Sequence, residues 1–548
     1  MKLKRFTAIV LCFVIAFSLL SFTACTGPKD VMGLKIDENC YVNNTPAIGY
    51  SEKTYQDTQK NLANLKALVE KEEASELSCQ VLSMLVSVQL YKLIDALEVA
   101  TLYYYSDMTD EANKNGYADL YDKYSGTINE FKKLYKLFAE SKYKTVFFGE
   151  DATDEEIQEL VSKAVSSDEL VALNGKVVTL QTQYNDFTDE QIFGSDYDEL
   201  YTELVQTLNG VGKIYGFDNY LDYSYAYEYS RDYTPADTLR YFSLLSDGVV
   251  EAAEKSSDNL YSASNSINNQ RMNELDGILE DSFTSPTAQA VLDGFYRSLG
   301  DDIYKIYKHL INDGYYYIAK SENAYAGAFT NYFNTISEPY MYFSTGYDTV
   351  NTFVHEFGHY CRFYLSGNND DASYELLETH SQGAEWLFAS YISKSLTGNE
   401  KSYFVNSKFS NNSYSILLCA IVGAAEIDVY TLKDFSSVDY NAIVKARSAE
   451  IWGNAFPEVF YGYTRPEYYF RYVTVTSPGY YISYSVSLIS SLEVYVQGID
   501  SYESAVSAYM SLLNTDSLYV EALEEAGLGS PFDKATIESV CNTFSNVG

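Results

Sequence analysis

The segment His355-Glu356-Phe357-Gly358-His359 sets two imidazoles four residues apart with a carboxylate between them. On a helix, residues at that spacing stand one above the other on one face. His355 and His359 can therefore direct two nitrogens at one ion, with Glu356 beside them. A second acidic cluster follows, Glu378-Thr379-His380-Ser381-Gln382-Gly383-Ala384-Glu385. Glu375, Glu378 and Glu385 are the candidates for a third ligand, and Glu378 is favoured. Glu385, two turns further on, faces the same side and suits accepting an N–H from a ligand histidine. Two nitrogens and one carboxylate oxygen leave a tetrahedral Zn²⁺ with one open position for water. An adjacent carboxylate can take a proton from that water, which is the chemistry of metal-assisted peptide hydrolysis. The chain holds four histidines, and three of them fall in this stretch. His380, two residues from Glu378, points to a different helix face and reads as structural or substrate-facing.

These groups need two helices to present them. Val350, Phe353, Val354 and Phe357 form an apolar stripe, and Asp348, Thr352, His355 and His359 fall on the opposite face. Gly358 is a poor helix residue, about 1 kcal/mol worse than Ala, and its expected use is to let another segment approach closely. Ser366-Gly367-Asn368-Asn369 supplies the stop signal. The second helix runs from Glu375 through Trp386-Leu387-Phe388. Just before the first, Tyr340-Met341-Tyr342-Phe343-Ser344 reads as a strand, expected at a sheet edge where an extended peptide could pair with it.

At this point the residues resemble the M3 family of zinc metallopeptidases, the thimet oligopeptidase and oligoendopeptidase F group, and the oligoendopeptidase F side in particular. The likeness lies in Ala324-Tyr325-Ala326-Gly327, in Pro339-Tyr340-Met341-Tyr342-Phe343, and in the run from Asp348 to His359. It extends to the second helix, where Glu378, Ser381, Gln382 and Glu385 match the family pattern. The resemblance implies zinc ligands His355, His359 and Glu378, with Glu356 as general base. Gly479-Tyr480-Tyr481-Ile482-Ser483-Tyr484 resembles the family's Gly-Tyr-x-x-x-Tyr segment. It implies that the Tyr480 and Tyr484 hydroxyls steady the substrate carbonyl as it becomes tetrahedral. The chain departs from the family in two places. No histidine stands just upstream of these tyrosines, where Tyr472 to Pro478 includes Val475, and Ser487 replaces a further tyrosine. Tyr481 or Tyr472 is a candidate substitute donor.

Lys2, Lys4 and Arg5, the apolar run Phe6 to Leu20, and Phe22-Thr23-Ala24-Cys25 read as a lipoprotein signal peptide over 1–24. Cys25 would become the lipidated N-terminus, residues 25–46 a tether, and the remainder would lie outside the cytoplasm on the bacterial membrane. The chain carries 76 acidic against 38 basic residues, a net −38. Such a charge disfavours nucleic acid and anionic lipid as partners. Loss of the leader's three basic residues would take the charge from −38 to −41. The cysteines form no close pair, so neither a thiolate metal site nor a redox motif is indicated.

Proline is absent between Pro46 and Pro235, which suits long helices. Leu62, Leu65, Leu68 and Val69 keep helical spacing, as do Ile157, Leu160, Val161 and Ala164 behind the capping box Thr153 to Glu156. Val81 to Ala100 is apolar nearly all round and reads as a buried helix. Thr234-Pro235 and Ser285-Pro286 look like N-cap and N1 pairs, whereas Ser256 to Gln270 is polar and loop-like. The fold class expected is mainly α: an N-terminal helical lobe over 47–215, a catalytic lobe over 216–548, and a small edge β-sheet near the HExxH helix. The resemblance adds a zincin-type, two-lobed body with a deep central channel that admits short peptides. The function expected is a monomeric, extracytoplasmic zinc oligopeptidase acting on short peptides. The second reading is a peptide-binding surface lipoprotein with weak or no catalysis.

Overall fold

Long proline-free stretches become long helices in the computed structural model, which describes residues 30–31, 34–35, 48–164, 168–246, 248–367, 372–453 and 455–547. The expected signal peptide and Cys25 lie outside the described residues. Within the expected tether, Asp30–Val31 (β1) and Leu34–Lys35 (β2) pair antiparallel. The chain divides into two compact units, one made of Met1–Asp168 with His309–Tyr347, the other of Glu169–Lys308 with Asp348–Gly548.

Three helices, Glu52–Lys71, Glu76–Ser106 and Glu111–Glu140, build the first unit. Leu62, Leu65 and Val69 pack with Val86, Leu90, Leu134 and Phe138 in one core, as the leucine spacing predicts. The capping box at Thr153 forms, with the Thr153 backbone N–H donating to Glu156 Oε2 at 2.7 Å and the Glu156 N–H donating to Thr153 Oγ1 at 3.2 Å. The helix Glu76–Ser106 is only partly buried, contrary to the expectation for Val81 to Ala100. Leu93, Ala96, Val99 and Ala100 are enclosed, but Leu77, Val81 and Leu85 are 68%, 57% and 44% exposed. An apolar surface on every side identifies no neighbour, and here only the C-terminal half has one on each face.

Leu93, Val99 and Tyr103 share a second core with Tyr317, Phe333, Tyr340 and Tyr342 from a three-stranded sheet. Its strands are Tyr316–Ala319 (β3), Ala328–Phe333 (β4) and Glu338–Ser344 (β5), in the order β3-β5-β4. β5 runs parallel to β3 and antiparallel to β4. The strand expected at an edge is therefore central, and its backbone already pairs on both sides. Its nearly continuous apolar run is what a strand buried on both faces requires. The buried carboxylate of Asp95 holds the β4–β5 turn, accepting backbone N–H bonds from Asn334 at 2.9 Å and Thr335 at 2.7 Å.

In the second unit the helix Tyr374–Ser393 packs against both Val350–Ser366 and Ile482–Asp500. The long helix Asn399–Tyr430 packs against Ile482–Asp500 and against Val249–Ser264. Thr234-Pro235 and Ser285-Pro286 open helices as their types predict. The loop expected over Ser256 to Gln270 is instead mostly helical, spanning the end of Val249–Ser264 and the start of Asn269–Glu280. Its buried face is made of small groups, Ala252, Ala253, Ser256 and Ala263. Ser256, the one buried hydroxyl of the stretch, donates to Asn406 Oδ1 at 2.7 Å, so its burial leaves no hydrogen bond unmet.

Candidate metal centre

The HExxH helix, Val350–Ser366, begins at Thr349, whose hydroxyl caps the Thr352 N–H at 3.2 Å. It ends at Gly367 with φ +70°. The cap contributes about 1 kcal/mol and fixes where the first turn starts, hence which face each histidine takes. The opposite face is nailed down by rings. Phe353 stacks on Phe283 at 4.5 Å between centroids, and Phe357 lies 4.4 Å from Tyr296. His355 and His359 are left side by side, ring centroids 5.2 Å apart.

Gly358 decides how near the second helix can come. A Cβ there would stand 2.4 Å from the carbonyl oxygen of His380 and 2.7 Å from Ser381 Cα. The helix-propensity loss of about 1 kcal/mol is thus the condition for Glu378 to reach the histidines. His355, His359 and Glu378 are the one group among the described residues that offers three potential ligand atoms together, all within 4.8 Å of one another. His355 Nε2 lies 3.9 Å from Glu378 Oε2. Tetrahedral zinc with bonds of about 2.0–2.1 Å spaces its donors roughly 3.3–3.5 Å apart, so the His355–Glu378 pair stands about half an ångström wider than an ion would draw it.

Glu385 sits behind His355, accepting from Nδ1 at 2.8 Å, and its other oxygen meets Lys408 Nζ at 2.6 Å. Lys408 also donates to Asn351 at 2.8 Å. Burial works against the charge on Glu385, but Lys408 and His355 outweigh it and bring its carboxyl down to about 2. An ionised carboxylate can only accept, so the proton on Nδ1 belongs to His355 and Nε2 is turned toward Glu378. Burial pulls the His355 imidazole down; the bond to Glu385 and the charges of Glu385, Glu356 and Glu378 raise it to about 9. His359 is pushed well below its ordinary value by burial and then by His355. Burial raises the Glu378 carboxyl against the pull of His355, Tyr480 and Ser381. Three mostly buried carboxylates thus converge where Lys408 is the fixed positive charge. The donor set and the charge balance both fit a divalent cation. Glu356, buried next to His355 on the same helix, completes the set.

The tyrosine segment reaches the same place. The Tyr480 hydroxyl donates to Glu378 Oε1 at 3.0 Å and lies 3.2 Å from the Tyr484 hydroxyl. Burial, and then the charge of Glu378, drives both phenols far above their ordinary range, so both stay protonated as donors. The substitute donors fare differently. Tyr472 is exposed and hydrogen-bonds Asp189 at 3.4 Å, while the Tyr481 ring packs edge-on against Tyr469. Val475 is fully enclosed and offers no side-chain donor. Ser487 is buried and donates to Gln382 at 2.8 Å. His380 is structural: it is buried, and its Nε2 lies 2.9 Å from the Leu512 carbonyl. Glu375, the remaining ligand candidate, faces Arg231 at 2.6 Å.

Sequence reasoning missed Lys408, Asn351 and Arg231. A lysine at a helix position flanked by Val405, Phe409 and other buried residues is the one available signal, because a buried ammonium needs a carboxylate partner. Cys79, Cys361, Cys419 and Cys541 are buried free thiols.

No protein-family model matches this chain, and no curated protein matches it in sequence. Solved structures share its fold. A PZ peptidase A solved with an inhibitor superposes with a TM-score of 0.62 at 16% identity, over 92% of this chain and 97% of the other. An oligoendopeptidase F from Enterococcus faecium gives 0.53 at 14% identity, over 90% and 97%. The chain has the mainly helical fold of these oligopeptidase structures along nearly its whole length, in line with the resemblance noted in its sequence.

Proposed function

We propose that this chain is a zinc-dependent oligopeptidase that hydrolyses short peptides outside the cytoplasm, as a monomer tethered by a lipid on Cys25. The observation that carries the reading is the meeting of His355, His359 and Glu378 within 4.8 Å, with Glu356 and two partly buried phenols around them. His355, His359 and Glu378 would hold the zinc, which would supply Lewis acidity toward a water and a carbonyl oxygen. Glu356 takes the proton from the attacking water and returns it to the departing amine. Tyr480 and Tyr484 donate to the oxygen on which charge develops, and their enclosure strengthens that interaction. Glu385 and Lys408 keep His355 in one orientation and one tautomer.

The decisive measurement pairs metal analysis with cleavage of a quenched-fluorescent peptide library, using wild type and Glu356→Gln. Wild type is expected to hold one zinc and to cleave. Glu356→Gln is expected to keep the zinc and lose about 10²–10⁴-fold in rate. Equal rates would remove Glu356 from its role. The enclosed Val475, where the family has a histidine, favours the second reading of a peptide-binding lipoprotein; a wild type with stoichiometric zinc, tight peptide binding and no cleavage would establish it. The anchor is tested separately. Cys25→Ser is expected to move the protein from the membrane fraction to the soluble one, and an unchanged distribution would remove the lipid.

A further inference from the structure

The turn that presents Tyr480 is fastened from behind by a buried cation. The side chains of Arg231 and Glu375 are both fully enclosed, with Arg231 Nε donating to Glu375 Oε1 at 2.6 Å. Arg231 Nη2 donates to Ser483 Oγ at 2.8 Å and to the Tyr480 carbonyl at 3.5 Å. Ser483 Oγ in turn donates to Glu375 Oε1 at 2.7 Å. Glu375 lies one turn before Glu378 on the same helix, and Ser483 immediately precedes Tyr484. One guanidinium therefore ties the helix that carries Glu378 to the segment that carries both phenols.

The surroundings hold that guanidinium still. Its centre lies 4.1 Å from the ring of Tyr225 and 4.5 Å from that of Tyr229. The Tyr229 hydroxyl donates to the Pro478 carbonyl at 2.7 Å. Gly479 has φ +73°, and a Cβ there would meet Leu221 Cδ2 at 2.8 Å. Its N–H donates to Glu426 Oε1 at 2.8 Å. Each residue from Pro478 to Tyr480 thus has a backbone group held by a side chain from another element. A buried ion pair is seldom more stabilising than well-packed apolar residues of its volume, so stability alone does not account for this one. What it does supply is registry between two elements.

We propose that Arg231 is a positioning residue for the proposed hydrolysis: it sets the Tyr480–Tyr484 segment against Glu378, and in this it rests on the reading of those phenols as donors to substrate. Arginine suits the task because its planar fork addresses the carboxylate, the hydroxyl and the carbonyl at once, which a lysine cannot do.

The test uses the zinc-loaded full chain as wild type, Arg231→Met, Arg231→Lys, Tyr480→Phe and the double variant Arg231→Met/Tyr480→Phe. Arg231→Met is expected to lower kcat by about 10- to 100-fold with KM little changed, and Arg231→Lys to recover part of the loss. The double variant is expected to lose less than the product of the two single losses, since both changes disturb the Tyr480 donor and only the placing of Tyr484 is left for Arg231 to affect. Losses that multiply, or a wild-type kcat in Arg231→Met, would overturn the proposal. Hydrogen exchange of the metal-free protein gives a readout independent of catalysis. Faster exchange confined to 477–484 and 374–380 in the Arg231 variants is expected, and unchanged or uniformly faster exchange would overturn the proposal. If wild type cleaves nothing, the peptidase reading fails on that result, and the exchange pattern still decides the role of Arg231. If Arg231→Met does not fold, Arg231→Lys carries the same readouts.

Discussion

At the scale of single residues, Glu378 and Glu385 separate by what each touches. Glu378 shares the trio with the two histidines, whereas Glu385 is spent on His355 Nδ1 and Lys408. Glu378→Ala is expected to abolish stoichiometric zinc, and Glu385→Ala to weaken zinc affinity by about 10- to 100-fold while leaving the site able to fill. Competition with a chromophoric chelator measures both; the reverse order would exchange the two roles. The convergence of His355, His359 and Glu378 was legible because it depends on helix periodicity and one acidic cluster. Lys408 was not, because the partner that makes a buried lysine tolerable lies 23 positions earlier in the chain and no local pattern links them. The same holds for Arg231 and Glu375, 144 positions apart.

At the scale of elements, the crossing of Val350–Ser366 and Tyr374–Ser393 depends on Gly358. Gly358→Ala gains about 1 kcal/mol of helix propensity. It also drives a methyl to 2.4 Å from a backbone carbonyl, an overpacking that typically costs about 1–3 kcal/mol. The collision falls on backbone rather than on a flexible side chain, so the second effect is expected to win. The variant should show a lower Tm and weakened zinc retention; a higher Tm with full zinc would show that the helices can part freely. Helices and their caps were largely readable, as at Thr153, Thr234 and Ser285, because capping is a local exchange of hydrogen bonds. What failed was what needs a neighbour. The centrality of β5 depends on β3, which is drawn from earlier sequence, and the helicity of Ser256 to Ser264 depends on Asn406 and the helix that bears it.

At the scale of the molecule, Glu426 couples the tyrosine turn to pH. Burial lifts its carboxyl to about 8, against the Gly479 N–H and Arg231, which pull it down. Its native pKa is thus above the unfolded carboxylate range, so the folded state binds the extra proton. Its contribution to stability is complete below the unfolded pKa and is lost as pH rises through about 8. Thermal unfolding from pH 5 to 9 is expected to show a falling Tm that flattens in Glu426→Gln; identical slopes would remove Glu426 as the source. The division into units was beyond the reach of composition, because the sheet in the first unit comes from His309–Tyr347, long after Asp168.

That detour orders events during synthesis. Leu93, Val99 and Tyr103 emerge from the ribosome early, yet the rings that cover them, Tyr317, Phe333, Tyr340 and Tyr342, follow only after 169–308 has been made. At ordinary elongation rates the wait is on the order of ten seconds. For that interval the nascent first unit is an unfinished helical bundle with an uncovered flank, and a polypeptide stopped near Asp168 would keep that flank exposed for good.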